Sequence, residues 1–366
     1  MTFEIYVEDW NWNNNGQCPS TCSSCWPVCA FGGWGPNVIC TIAFASYQYN
    51  TSNPNDGVIL GLSEPVPTMQ ATIGLIHQAN AKIKMAYGGA NSAYQPWAVA
   101  GWQDSSVLYA IAQNIASACV GYGFDGVDLD FEAGPPPGSG VAYATLIKNL
   151  RQLLPNKIIT LTVPTTQILG GLPTYPQGAP QIPANRIWAN FSEFHAVIDN
   201  LLIADGKGGY ALGYVDHINF MEYCMGIDPG NDLQTQVTKD MISFHTGIYQ
   251  MPYSKMAIGL NQLQCVDTPP LYPYLATPLA NWANDNGFAG VFYWDLTQDT
   301  LFNAPSSCSG VGNFHICNAI VPICTSPPNP PPKVQGAFQS NSIHTGNNNP
   351  PATFSYTERA QTAGPP

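Results

Sequence analysis

The sequence predicts an α/β barrel, and three observations carry that prediction. Apolar strand patterns alternate with helical patterns from residue 2 to about residue 300, the arrangement of an α/β domain. The length, 366 residues, holds one barrel of about 250 residues plus extensions. One strand-like stretch, residues 121–132, carries Asp125, Asp128, Asp130 and Glu132 between apolar residues.

That stretch sets the chemistry. Side chains on a strand alternate faces. Asp128, Asp130 and Glu132 therefore share one face, and Val127, Leu129 and Phe131 take the other, which can pack against helices. Close like charges raise carboxyl pKa values, so at least one of the three holds a proton near neutral pH. A fold accepts such a row most readily where the chemistry needs a protonated acid. A calcium loop or a solvated acidic face is the alternative. Calcium loops are turn-rich, whereas Val, Leu and Phe between these acids argue for a buried strand.

The four acids resemble the Asp-x-x-Asp-x-Asp-x-Glu signature of glycoside hydrolase family 18, the chitinases and endo-β-N-acetylglucosaminidases, at every position. The resemblance implies a (β/α)8 TIM barrel with this strand as the fourth and Glu132 at its C-terminal end. Such a barrel carries its active site on the face where the strands end.

The other strands follow in order. In residues 2–10, Phe3, Ile5 and Val7 alternate with Glu4, Tyr6 and Glu8, a period-2 first strand. A long loop, 11–37, contains Cys18, Cys22, Cys25 and Cys29. It reads as local disulfides or as a zinc or iron-sulfur site; a second Cys-x2-Cys pair and a His are lacking there. Trp10, Trp12, Trp26 and Trp34 accompany it, either extending a glycan cleft or forming the loop's own small core. Residues 38–47 are the second strand and 69–81 a helix.

Residues 82–91 are the third strand, and their end resembles the family's Ser-x-Gly-Gly motif, with Ala86 in place of Ser and then Tyr87, Gly88 and Gly89. The glycines allow close backbone approach. An amphipathic helix, 107–120, leads into the acid strand, and another, 141–154, follows it. Residues 157–164 are the fifth strand, similar to the plant-type, hevamine-like branch in its Leu-Thr-x-x-Pro pattern. A long connection, 165–213, carries a helical piece at 194–202.

Residues 215–224 are the sixth strand. Met221, Glu222, Tyr223 and Cys224 resemble the family's Met-x-Tyr-Asp motif, with Cys224 in the place of Asp. His217 reads as structural. Residues 233–249 and 271–286 read as helices, and 255–262 and 290–296 as the seventh and eighth strands, the last bearing Trp294.

The sequence thus divides into a barrel, 1–305, a Cys-containing coda, 306–324, and a Pro/Asn/Ser/Thr-rich tail, 325–366, which cannot form a core of its own. Cys308, Cys317 and Cys324 suggest crosslinks in the coda, and Cys40, Cys119 and Cys224 are candidate free thiols. The tail is a candidate contact for protein partners or assembly.

Composition narrows the function. Apolar residues make up 45% of the chain and charged residues only 9%, well under the usual ~25%. A net charge of -12 disfavours nucleic acid and anionic membrane and suits a neutral glycan. No apolar run is long enough for a membrane span, and no signal-peptide pattern opens the chain. Eleven cysteines and sequons at Asn50 and Asn190 suggest an extracellular or particle-surface setting, such as a virion.

The resemblance implies roles for named residues. Glu132 is the general acid, Asp130 orients the substrate's 2-acetamido group, and Asp128 shares a proton with Asp130. Tyr223 binds the acetamido carbonyl. Trp294 floors the reacting sugar, with Met221, Tyr87, Gly88 and Gly89 as further substrate contacts and Asp125 as a structural acid. Acid, nucleophile and charge partner are then all present, so no metal or cofactor is called for. The substrate implied is chitin or another N-acetylglucosamine glycan. The competing readings are a silent glycan-binding relative and a structural surface or virion assembly protein.

Overall fold

In the computed structural model the described residues are 1–8, 33–49, 58–61, 66–132, 134–165, 191–204, 210–223, 232–246, 249–261, 273–294, 296 and 315–325. They contain strands β1 (Thr2–Glu8), β2 (Val38–Tyr49), β3 (Val58–Gly61), β4 (Lys82–Gly88), β5 (Gly126–Asp130), β6 (Ile158–Pro164), β7 (Leu202–Ala204), β8 (Tyr210–Leu212), β9 (His217–Met221), β10 (Met256–Asn261) and β11 (Gly290–Trp294). The long helices are α1 (Val66–Gln78), α2 (Ser105–Tyr122), α3 (Ser139–Leu153), α4 (Phe191–Leu201), α5 (Leu233–Thr246), α6 (Pro273–Asp285) and α7 (His315–Thr325).

Parallel pairing runs β1-β2-β4-β5-β6-β9-β10-β11 and returns from β11 to β1, closing an eight-stranded barrel. Strand β3 adds antiparallel to β2, and β7 with β8 makes a hairpin inside the long connection. The predicted (β/α)8 fold is therefore the fold observed.

Period-2 alternation builds two separate cores. Phe3, Ile5 and Val7, Val127 and Leu129, Ile159, Leu161 and Val163 all face the helices in the main core. At 1.5–3 kcal/mol for each large side chain, roughly, this layer is the main stabilising term. The alternate residues point into the barrel, where Tyr6, Ala43, Ala86, Met221, Ala257 and Phe292 form a small second cluster. Small residues at 43, 86 and 257 leave room around the large rings.

Helix ends place the acid strand. Helix α2 stops at Gly123, whose φ of 89° suits glycine. The Phe124 N–H then reaches back to the Cys119 carbonyl at 2.9 Å, a Schellman closure that turns the chain into β5. At the start of α3, Glu193 accepts from Gly138 N at 3.0 Å and Gly140 N at 2.8 Å. Its carboxylate thereby satisfies orphan donors at a helix N-terminus.

Helix α7 was not foreseen. Its Cys317, Ile320 and Cys324 join the main core, and Asn37 Nδ2 donates to the Cys324 carbonyl at 3.1 Å. The crosslinked reading of this region is corrected for a bridge between Cys317 and Cys324. Seven residues along a helix separate them by about 10 Å, beyond the ~7 Å that a disulfide can span. Cys40, Cys119 and Cys324 are buried free thiols; burial pushes Cys324 up to about 12. No disulfide occurs among the described residues.

The cysteines at 18–29, Cys224, Cys308, both sequons and the tail from 326 on lie outside the described residues. The chain divides into Met1–Pro331 and Pro332–Pro366, and the second unit also lies outside them. Among the described residues no helix is long and apolar enough to cross a membrane.

Gly74 sits inside α1, and a Cβ there meets no atom within 4 Å. Gly74→Ala is expected to stabilise by about 0.5–1 kcal/mol through helix propensity. A denaturant midpoint at or below that of the wild type would show that helix propensity does not govern stability at this position.

Candidate active site

Strand register sets the acids beside hydroxyls. On β5, Asp128 lies level with Ala86 of β4 and Thr160 of β6, and Asp130 with Gly88 and Thr162. Asp128 is fully buried, and Asp130 and Glu132 are more than nine-tenths buried. Tyr6 donates to Asp128 Oδ2 at 2.7 Å, and the Thr160 hydroxyl donates to Oδ1. Thr162 lies 3.0 and 2.9 Å from the two oxygens. Three hydroxyls thus face one carboxylate.

Burial dominates the protonation of all three acids. It raises Asp128, opposed by the nearby Lys84 ammonium and by the Thr160 and Tyr6 hydrogen bonds. Burial raises Asp130 well above the usual carboxylate range, and the charges of Glu132 and Asp128 push the same way. Glu132 is pushed up to about 7 by burial, with a hydrogen bond to Asp130 pulling against it. Asp130 and Glu132 therefore share protons as a pair near neutral pH. Tyr6 is raised too, first by burial and then by Asp128, so it stays a phenol donor.

Aromatic rings gather at the strand ends. Trp294 lies 5.5 Å from the Tyr6 ring, and Tyr223 lies 6.2 Å from Phe292, itself 5.5 Å from Tyr6. Trp294 and Tyr223 are both half-buried against the inner cluster that contains Met221. A wall of acids and a wall of half-open aromatic faces on one barrel interior suit a sugar ring, which is polar at its edge and apolar on its face.

The rim beside the acids is held by backbone contacts. Gly89 N and Gln95 Nε2 both donate to the Asp130 carbonyl, at 3.0 and 2.7 Å. Gly88 and Gly89 have φ of 109° and 101°. Asp125 lies at the other end of β5, where its carboxylate accepts from Ile83 N at 2.9 Å and contacts His77 at 2.8 Å. It ties β4 to the turn before β5, away from the acid row.

The structure thus brings Asp128, Asp130, Glu132, Tyr223, Trp294, Met221, Gly88 and Gly89 to one end of the barrel. Tyr87 is corrected. Its neighbours Ala86 and Gly88 face inward, so the strand alternation turns Tyr87 outward, fully buried in the helix-facing core. It is not placed to touch substrate. Trp34 packs against the main core, while Trp10, Trp12 and Trp26 lie outside the described residues.

Several site residues escaped the sequence reading. Tyr6, Thr160 and Thr162 bind Asp128, and Gln95 bridges the tips of β4 and β5. The inward positions of β1 and β6 were the available signal: Glu4 and Tyr6, Thr160 and Thr162, each pair spaced by two. Glu222 was also missed as a buried acid. It faces the helices, where burial and then Asp240 raise it well above the usual range. Thr165 is near enough to pull the other way, and among the described residues neither Glu222 oxygen has a partner at full hydrogen-bond geometry. Among the described residues no cluster of His, Cys, Asp and Glu is arranged to hold a metal.

No family model matches the sequence, and no curated protein matches it. Solved structures do. The catalytic domain of a family 18 chitinase from the fern Peteris ryukyuensis is similar with a TM-score of 0.57 at 15% identity, covering 89% of this chain and 100% of that one. A Group IV chitinase from Ostrinia furnacalis gives 0.59 at 14%, covering 89% and 100%. The family 18 chitinase of Cycas revoluta, solved in complex with (GlcNAc)3, gives 0.57 at 13%, covering 88% and 98%. The chain has the fold of the family 18 chitinases.

Proposed function

We propose that the chain is a glycoside hydrolase of family 18 that cleaves β-1,4-linked N-acetylglucosamine polymers with retention, using the substrate's own acetamido group. The observation that carries this reading is the buried row Asp128–Asp130–Glu132, with Glu132 raised to about 7, facing Tyr223 and Trp294 across one barrel mouth. The fold shared with a chitinase solved with (GlcNAc)3 agrees with it.

Glu132 gives its proton to the glycosidic oxygen as the bond to the anomeric carbon breaks. The acetamido carbonyl oxygen attacks that carbon from the opposite face, forming an oxazolinium ion. Asp130 accepts the acetamido N–H and balances the positive charge. Asp128, anchored by three hydroxyls, supports Asp130 from below. Tyr223 donates to the acetamido carbonyl, and Trp294 carries the apolar face of the sugar. Water then opens the oxazolinium ion, losing its proton to Glu132, so the product emerges as the β anomer.

The test is hydrolysis of N-acetylglucosamine oligomers beside their deacetylated counterparts, with product anomers followed by NMR. Turnover is expected only for the acetylated series, with β products first. Equal cleavage of both series would remove the substrate-assisted mechanism. Binding without turnover would leave a glycan-binding protein.

A further inference from the structure

Beneath Asp128 lies a second charged group that the chemistry above does not use. Lys84 of β4 and Glu4 of β1 form an ion pair of 2.7 Å, essentially unexposed. Glu4 also accepts from Thr41 at 2.6 Å and from Asn219 at 3.4 Å, and His217 Nε2 lies 3.8 Å away, beyond hydrogen-bond reach. Burial raises Glu4, but Lys84 and then His217 outweigh it and hold it down at about 2. Glu4 is therefore held as a carboxylate.

Lys84 Nζ also donates to Thr160 Oγ1 at 2.7 Å. An ammonium has donors only, and a hydroxyl has one proton. With its oxygen engaged by Lys84, Thr160 directs that proton to Asp128. Tyr6 is set by the same logic. Asn219 Nδ2 donates to its oxygen at 3.1 Å, so the phenol proton goes to Asp128 or Thr162. The direction of the hydrogen bonds runs from the barrel floor up to the acid row.

We propose that Lys84, clamped by Glu4, is a positioning residue for the reaction: through Thr160 it orients a hydroxyl onto Asp128 and favours the charged form of the carboxyl that supports Asp130. The charged and titratable groups around Asp128 are Lys84 from β4, Glu4 and Tyr6 from β1, Asp130 and Glu132 beyond it on β5, and His217 from β9 behind Glu4. Among the described residues, Lys84 is the cation that reaches Asp128 through a single hydroxyl. Its charge favours the charged form of Asp128 more than the charge of Glu4 opposes it. This role rests on the hydrolase reading.

Removing Lys84 alone strands a buried Glu4 charge, so the informative variant is the neutral pair Lys84→Met/Glu4→Gln, compared with Thr160→Val and with the triple variant. Two readouts are used: kcat and KM across pH, and direct titration of the Asp128 carboxyl by 13C NMR, assigned with Asp128→Asn. In the double variant kcat is expected to fall about tenfold with KM within twofold, and the acidic limb to move up by about one pH unit. The Asp128 resonance should move up with it. Thr160→Val should give a similar change, and adding it to the double variant should give little more, because both act along one path. An unmoved acidic limb and Asp128 titration, or additive losses in the triple variant, would overturn the proposal. If the wild type does not turn over chitin oligomers, the hydrolase reading fails, while the Asp128 titration still decides whether Lys84 sets that carboxyl.

Discussion

Glu132→Gln is expected to lower kcat on N-acetylglucosamine oligomers by about 10²–10⁴-fold, the usual range for a lost general acid, while KM changes little. The amide keeps the shape of the carboxyl but has no proton to give. Because Glu132 is held at about 7, wild-type activity should fall as pH rises through that value, and the residual activity of the variant should lack this basic limb. Stability reports the same group independently. An acid raised from 4.5 to about 7 binds its proton more tightly folded than unfolded. Its stabilising contribution is complete below pH 4.5 and is lost as pH rises through 7, a swing on the order of 3 kcal/mol. Glu132→Gln removes the swing, so the variant gains on the wild type between pH 4.5 and pH 7.5 in urea unfolding. A constant stability difference across that range, or a variant with wild-type kcat, would take Glu132 out of the acid role.

What could be read from the chain, and what could not, follows from the range of the interactions. The acid row was legible because its signal is local: Asp128, Asp130 and Glu132 repeat every second residue within an apolar run, and one strand decides their shared face. The barrel was legible for a similar reason, since each strand announces itself by its own pattern. The Lys84–Glu4 pair was not, because its partners are 80 positions apart and meet only when the sheet closes. In one dimension Lys84 is an ordinary charge on an alternating strand. Tyr87 was misplaced because the family resemblance puts the whole strand tip near substrate, whereas strand alternation turns Tyr87 to the helices. Cys317 and Cys324 were misread because cysteine spacing says nothing of the helix that holds the two about 10 Å apart. Helix α7 itself was masked by composition, with Pro322 inside it and a Pro-rich tail following.

Gly88→Ala is the substitution expected to do most damage outside the acids themselves. The backbone at Gly88 has φ of 109°, a region that L side chains rarely adopt, and an added Cβ would overlap the Asp130 carbonyl oxygen. Nor can the carbonyl easily retreat. It accepts from Gly89 N at 3.0 Å and Gln95 Nε2 at 2.7 Å, and Gln95 Nε2 would itself stand 3.0 Å from the new methyl. Strain and overlap together should destabilise by about 3 kcal/mol. The strand tip that yields is the one bearing Asp130 and Glu132, so kcat should fall about 100-fold, the scale of a 1 Å misplacement of reacting groups. Gly74→Ala provides the contrast, a glycine to alanine change with open space and helical backbone. Paired urea titrations and kcat measurements should move the two variants in opposite directions in stability, with only Gly88→Ala losing turnover. If Gly88→Ala kept wild-type stability and rate, the close approach of β4 to the Asp130 carbonyl would not be what fixes the acid row.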